Sequence, residues 1–459
     1  MKDKPVILGK SYELTITGFS HQGEGIGRVN NFAVFIPGVI PDEKVRATIT
    51  EVRKNYAKGQ LEKIITSSAS RVDTPCTFAD HCGGCQLQHI SYQKQLELKQ
   101  KMVSDNLMKI GGINAEVQPT LGMEYPWRYR NKGHFHLDNV NGEVRFGFYE
   151  PGSHEFVPAK KSLIFSTVVN KLIDYLEEQL TIQEVEIYDR RIGKGYLRNI
   201  MIRESWATGQ LMIIFITNEK GWKLDEVVKS LVEVFPQVVS VYQNINKSNK
   251  PMVLGEKFKL IRGQAFLEDT IGPYVFKISP QSFFQVNNQQ TQVLYEKALE
   301  YARLTEEETV IDAYCGIGSI AIYFAAQAKK VIGIEVINEA IKDAQENAKL
   351  NKVDNVEFVA GKVEEWLPQW VKAGGRADVI VVDPPRKGCA PETLAAIVEA
   401  RPEKVVYVSC NPSTLARDLK YLVKKGYGVR EVQPVDMFPQ TAHTEVVCKI
   451  VRNDKGFRD

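Results

Sequence analysis

The stretch from residue 309 to the end of the chain constrains the fold most, because short apolar runs alternate there with helical patterns. Strands are predicted at 309–314, 330–335, 356–360, 378–383, 404–410 and 446–451. Helices are predicted at 338–351, 391–400 and 415–425, with another at 286–304 leading in. Alternation of this kind gives a parallel, doubly wound sheet, since each crossover helix returns the chain across one face. Three of these strands run into residues that carry chemistry. Thr309-Val-Ile-Asp-Ala-Tyr-Cys-Gly-Ile-Gly-Ser319 enters a glycine-containing loop. Ala377-Asp-Val-Ile-Val-Val-Asp-Pro-Pro-Arg386 ends in an acidic turn. Val405-Val-Tyr-Val-Ser-Cys-Asn-Pro412 sets Cys410 at the carboxyl end of its strand. Open α/β sheets hold ligands at that edge, so the three together predict an enzyme.

The remaining 280 or so residues allow one or two further domains. Residues 1–70 show closely spaced alternating runs (12–17, 32–36, 45–52 and 59–65), broken at 23–27 by Gly-Glu-Gly-Ile-Gly and by two proline turns. Short strands with Gly/Pro turns predict a small barrel. It carries ten Lys/Arg against seven Asp/Glu, which fits either a solvated surface or an RNA-binding platform. Residues 92–110 predict a helix ended by Gly111-Gly112. Residues 120–280 read as β-rich with some helix. Two stretches there interleave aromatics with cations: Tyr125-Pro-Trp-Arg-Tyr-Arg-Asn-Lys132 and Tyr188-Asp-Arg-Arg-Ile-Gly-Lys-Gly-Tyr-Leu-Arg198. Aromatic faces stack on unpaired bases and cations meet phosphates, so single-stranded RNA is the expected partner. Phe283 and Tyr129 are the candidates to stack on a base.

Whole-chain charge decides little: 59 Lys/Arg against 56 Asp/Glu leave a net +3. No run of 18 or more apolar residues occurs, and the first residues lack a signal-peptide core, which predicts a soluble cytoplasmic protein with no membrane partner. No obligate protein partner is inferred. Seven cysteines in a chain of 459 residues read as metal ligands, catalytic groups or core residues rather than a disulfide framework. Cys76-x5-Cys82-Gly-Gly-Cys85 can converge on a soft metal or an iron–sulfur centre, but a fourth ligand is missing nearby, with only His81 and His89 in reach. Cys315 and Cys389 read as packing or loop residues.

In the glycine loop, Gly316-Ile-Gly318 lacks the third glycine of the dinucleotide fingerprint. Glu335, about 20 residues on, ends the next strand, where an acidic side chain holds ribose hydroxyls. With the Asp-Pro-Pro turn, the set fits S-adenosyl-L-methionine (SAM) better than NAD. A methyl donor beside a cysteine suits pyrimidine C5 chemistry. A thiolate added at C6 makes C5 enolate-like, and a base then removes the C5 proton. Cys410 is the candidate nucleophile and Glu445 the candidate base, with His443 its competitor. Cytosine C5 methylation uses the same logic.

The motifs Phe283-Phe-Gln-Val-Asn287, Asp312-Ala-Tyr-Cys-Gly-Ile-Gly318, Asp383-Pro-Pro-Arg-Lys-Gly388, Ser409-Cys-Asn-Pro412 and His443-Thr-Glu445 closely resemble those of the RNA uracil-5-methyltransferases. These are SAM-dependent enzymes that make 5-methyluridine in 23S rRNA and tRNA. The resemblance runs over nearly the full length. It implies Cys410 as nucleophile, Glu445 as proton acceptor, and Gln285, Tyr314, Glu335 and Asp383 as SAM contacts. It implies an OB-like TRAM barrel at 1–70, a central RNA-binding domain at 71–280 whose helix at 92–110 docks on the catalytic domain, and a Rossmann-like methyltransferase domain at 281–459. The barrel is typical of rRNA-directed members, so 23S rRNA is the expected substrate, with a tRNA enzyme or a non-catalytic ribosome-assembly factor as alternatives. Members with a [4Fe–4S] cluster have a fourth cysteine where this chain has Ser162. A hydroxyl replaces a soft thiolate poorly, so Cys76, Cys82 and Cys85 form an incomplete cluster set.

Overall fold

The computed structural model describes residues 4–153, 155–158, 161–248 and 253–453. At the carboxyl-terminal end, seven strands form one sheet in the order Val356–Ala360, Lys330–Glu335, Thr309–Ala313, Val379–Val382, Lys404–Ser409, Glu445–Arg452 and Tyr427–Val435. The first five run parallel. The last two are antiparallel: Glu445–Arg452 pairs with both Lys404–Ser409 and Tyr427–Val435. The sequence pattern misses Tyr427–Val435, because Arg430, Glu431 and Gln433 interrupt its apolar run and its outer part faces solvent. It also misses the helix Val363–Lys372, which holds Pro368 in its interior. The strand Val379–Val382 is buried along its whole length, as a central parallel strand covered by helices on both faces must be. The order reverses between Thr309–Ala313 and Val379–Val382. That is the switch point at which open α/β sheets form a ligand crevice.

The amino-terminal sheet has six strands, in the order Ser11–Thr15, Lys44–Val52, Tyr56–Thr66, Phe32–Ile36, Gly25–Val29 and Gly18–Phe19. Its core is built from Leu14, Ile16, Val34, Ile36, Val45 and Ile49. The glycine run at 23–27, expected as a break, becomes strand from Gly25 onward. A Cβ on Gly25 would sit 2.5 Å from a Val39 methyl, so the glycine admits close packing within the barrel rather than a turn.

The middle of the chain forms a second seven-stranded sheet, in the order Lys257–Gly263, Val238–Ile245, Leu211–Thr217, Leu197–Glu204, Lys132–Val140, Glu143–Tyr149 and Phe156–Pro158. The helices Thr167–Ile182 and Asp225–Val234 share a core with one of its faces. Ser166 caps the first of them, its hydroxyl accepting from the Val169 amide at 3.1 Å, an arrangement that satisfies one of the helix's orphan donors. The hairpin Leu267–Ile271 and Tyr274–Ile278 sends Ile271, Phe276 and Ile278 into the core of the carboxyl-terminal layer.

The helix Tyr92–Asn106 continues as a π-turn over Leu107–Gly111, and Gly112 ends it at φ 65°. Its buried face includes the polar Gln95 and Lys99 beside Leu98, Met102 and Val103. Ile110, near its end, is 40% exposed. The polar pair is buried because it meets partners on the 436–440 segment, described below. No described helix is long and apolar enough to cross a membrane.

Candidate active site

Antiparallel register brings the candidate nucleophile and base together. Ser409 pairs with Val446, so one step further along each strand sets Cys410 opposite Glu445. Glu445 also pairs with Val435 on the edge strand. Asp383 leaves the neighbouring parallel strand, its amide donating to the Ala313 carbonyl at 3.4 Å. Three adjacent strand ends thus present a thiol and two carboxyls to one point. The turns that follow are tied to each other: Asn411 Nδ2 donates to the Arg386 carbonyl at 3.0 Å. The Asn411 side chain also caps the next helix by accepting from the Ser413 amide at 3.1 Å.

The electrostatics are those of acids crowded out of water. Glu445 is 4% exposed. Burial, then the charge of Asp383, pushes its carboxyl up to about 8, while Arg386 pulls against them. Burial holds Asp383 up at about 7. The Cys410 thiol is pushed up to about 12 by burial and by Glu445 and Asp383, with Arg386 again opposing. His443 goes the other way, down to about 4 through burial and nearby cations, which leaves a neutral and weakly basic imidazole at pH 7. Shifts of this size cluster where chemistry is done. Arg386 had no expected role, yet it is the nearby cation that opposes the rise at both Cys410 and Glu445.

The crevice at the switch point is built for close approach. Gly316 and Gly318 adopt φ of 54° and 79°; a Cβ on Gly316 would meet nothing, whereas one on Gly318 would lie 2.7 Å from Phe358. Tyr314 also has a positive φ, 70°, an outlier for a bulky side chain, and its hydroxyl lies 3.4 Å from that of Thr393. Strain of this kind collects at ligand sites. Glu335 accepts from the Gly316 amide at 3.2 Å and the Ile337 amide at 2.9 Å. Gln285 is buried, and its carbonyl accepts from Asn131 at 3.0 Å. Asp312, which the sequence left without a role, lies at the floor of the crevice. Burial and Asp383 raise its carboxyl well above the usual range, and the Ala321 amide offsets this only in part. Neither of its oxygens makes a hydrogen bond of ordinary length. An open glycine cradle, an acidic residue at the end of the second strand and an orphaned buried carboxyl fit a ligand that carries ribose hydroxyls and an ammonium group, as SAM does.

A cavity of about 500 Å³ lies beside this edge, lined by Arg386 and His443 on one side and by Cys76, Cys82, Cys85 and Ser162 on the other. The position expected to lack the fourth thiol therefore faces the same space as the other three. Burial raises the Cys82 thiol, and it pushes Cys85 up to about 12. Among the described residues, no group of three or more His, Cys, Asp or Glu is arranged to hold a metal ion. Three half-buried thiols and a hydroxyl are one thiolate short of a four-thiolate cluster.

Of the two candidate stacking residues, Phe283 is 63% exposed, and the Lys132 ammonium sits 5.5 Å from its ring centroid. Tyr129 is 1% exposed, and its hydroxyl donates to the Pro439 carbonyl at 3.0 Å. The stacking role expected for Tyr129 is therefore wrong, because the ring is part of the core. Tyr188 and Tyr196 are likewise buried, and the Arg198 guanidinium lies 4.1 Å from the Tyr188 centroid. In that second stretch the cation–aromatic pattern is partly internal packing. Cys315 and Cys389 are buried.

Comparison with known proteins gives this geometry its context. Residues 91–452 match the family model described as tRNA (uracil-5-)-methyltransferase, and residues 5–61 match the TRAM domain. Uncharacterized RNA methyltransferases of Clostridium tetani and Listeria monocytogenes are 48% and 47% identical, each over 97% of this chain and over 97% and 98% of their own lengths. A solved structure of Pyrococcus abyssi tRNA (uracil-54, C5)-methyltransferase with S-adenosyl-L-homocysteine is 27% identical. It superposes with a TM-score of 0.76 over 96% of this chain and 100% of its own. With that coverage in a tRNA enzyme, the amino-terminal barrel does not separate rRNA from tRNA substrates. The chain belongs to the SAM-dependent RNA uracil-5-methyltransferase family.

Proposed function

We propose that this protein methylates uridine C5 in RNA, with 23S rRNA tested first as substrate, through a covalent bond between Cys410 and C6. The observation that carries the mechanism is the register setting Cys410 opposite Glu445 beside Asp383. Gln285, Tyr314, Glu335 and Asp383 hold SAM, which supplies an electrophilic methyl group. The Cys410 sulfur adds to C6 of the target uracil and gives C5 the nucleophilic character that methylation needs. With C5 methylated and S-adenosyl-L-homocysteine as the leaving group, Glu445 takes the C5 proton, the C5–C6 double bond re-forms as the C6–S bond breaks, and Cys410 departs as a thiolate. Glu445 suits the second role because its raised carboxyl is matched to a proton transfer near neutral pH. His443, held neutral and weakly basic, suits it less.

The target base must leave the RNA fold to reach this edge. Residues 1–70 and 71–280 serve as the RNA-holding domains and residues 281–459 as the catalytic one, with Phe283 stacking on a base. No iron–sulfur cluster is stably held by Cys76, Cys82 and Cys85. A tRNA substrate is the second reading, favoured by the likeness to the P. abyssi enzyme.

Methyl transfer from labelled SAM to unmodified 23S fragments and to a tRNA pool, with the product nucleoside identified, tests the assignment. Label as 5-methyluridine in rRNA alone is expected. Label in tRNA alone would overturn the substrate while keeping the chemistry, and no label in either would favour a non-catalytic RNA-binding role.

A further inference from the structure

Glu445 is the first residue of its strand, and what precedes it is a nine-residue loop, 436–444, leaving the edge strand at Val435. Val435 and Glu445 are register partners, so Asp436 begins the loop one residue beyond the strand partner of the candidate base. Nearly every anchor on this loop comes from the preceding part of the chain rather than from the catalytic sheet. Lys99 Nζ donates to Asp436 Oδ1 at 2.5 Å and to the Phe438 carbonyl at 3.2 Å. Tyr92 donates its hydroxyl to Asp436 Oδ2 at 2.8 Å. Gln95 donates to Gln440 Oε1 at 3.0 Å and accepts from the Gln440 amide at 3.2 Å. The Gln86 and Leu87 amides both donate to the Gln440 carbonyl, and Gln440 takes a φ of 68°.

The Lys99–Asp436 pair is the costly member of this set. Its side chains are 1% and 0% exposed. Burying two charges forfeits much of their hydration, and apolar replacements are often as stable or more so. Stability alone therefore does not account for the pair, whereas fixing one loop geometry does. We propose that Lys99 and Asp436 are positioning residues for Glu445: the helix Tyr92–Asn106 holds the start of the 436–444 loop so that the carboxyl at its end stays against Cys410. The inference rests on Glu445 being the base.

The test is the double variant Lys99→Met with Asp436→Asn, which removes both charges together and keeps an acceptor for Tyr92. Its thermal midpoint and its reaction with SAM and RNA are measured, with the protein–RNA adduct read on a denaturing gel. A misplaced base slows C5 deprotonation more than thiol addition. Turnover is expected to fall on the order of ten- to a hundred-fold while the adduct fraction rises. A merely structural role would lower adduct and turnover together, and that result, or turnover within about two-fold of the native protein, would overturn the inference. If the double variant does not fold, Tyr92→Phe, which removes one bond to Asp436, is read the same way: a higher adduct fraction supports positioning and an unchanged one refutes it. Glu445→Gln runs alongside. If it traps no adduct, the base assignment itself fails; if it traps adduct and the other variants do not, only the positioning idea fails.

Discussion

Cys410 and the trio Cys76, Cys82 and Cys85 lie near a shared cavity, yet they are built in opposite ways. Cys410 ends a buried strand, and its neighbours Glu445 and Asp383 come from the two strands beside it. Backbone register alone places all three. The trio sits in irregular chain between residues 73 and 90, with Ser162 across the cavity, and no ladder fixes the distances between its sulfurs. Chemistry anchored on a sheet edge is preorganised before any ligand arrives. A loop of thiols depends on what it binds, and losing one ligand leaves the rest without a complete set.

The largest effect expected from this contrast is at the nucleophile. Cys410→Ala should cut methyl transfer by at least about 10⁴-fold, while Cys82→Ala should keep most of it; comparable losses in single-turnover assays would erase the distinction. Next comes pH. Glu445 is raised to about 8, so the carboxylate is a minority form at pH 7, and turnover should climb between about pH 7 and 9 before levelling. A flat profile over that range would remove Glu445 as the limiting base. The same shift acts on stability. The unfolded chain ionises this group near 4.5 whereas the fold keeps its proton to about 8, so stability contributed by the protonated form is lost as pH rises across that window. Glu445→Gln should flatten that slope in denaturant titrations.

A smaller effect sharpens the other side of the comparison. Ser162→Cys supplies a fourth thiol to the cavity, and after anaerobic reconstitution it should retain several-fold more iron than the native chain, by roughly the preference of a soft metal for sulfur over oxygen. Stoichiometric iron near four per native chain, about the content of a filled cluster, would show that three thiols suffice. The smallest effects separate two aromatics. Phe283→Ala should weaken RNA binding by about 1–3 kcal/mol. Tyr129→Phe should leave binding unchanged and lower stability by about 1 kcal/mol through loss of its bond to Pro439. Equal binding losses in both would mean that Tyr129 reaches RNA after all.

The sheet edge was largely legible in the sequence, because buried parallel strands are continuous apolar runs and the residues just past them stand out. Cys410, Asp383 and Glu335 were found in that way. Glu445 was found as a residue, but its pairing with Cys410 was not, since the edge strand Tyr427–Val435 that completes its surroundings carries charge and hides the pattern. Asp312 and Arg386 sat inside recognised motifs, yet their roles depend on burial and on charges brought in by neighbouring strands, which no local spacing reveals. Tyr129 misled because an aromatic flanked by arginines looks the same on a surface as in a core. Lys99 was invisible for the same reason: a lysine on an amphipathic helix reads as solvated until its partner, more than 300 residues away, is placed.

The most direct test of the account is the reaction of the Glu445→Gln variant with SAM and a substrate RNA, followed by a denaturing gel. With the thiol intact and the base removed, C5 is methylated but keeps its proton. The account therefore predicts a stable protein–RNA adduct that carries the methyl label and disappears when Cys410→Ala is added. Release of free 5-methyluridine RNA at the native rate, with no adduct, would contradict it.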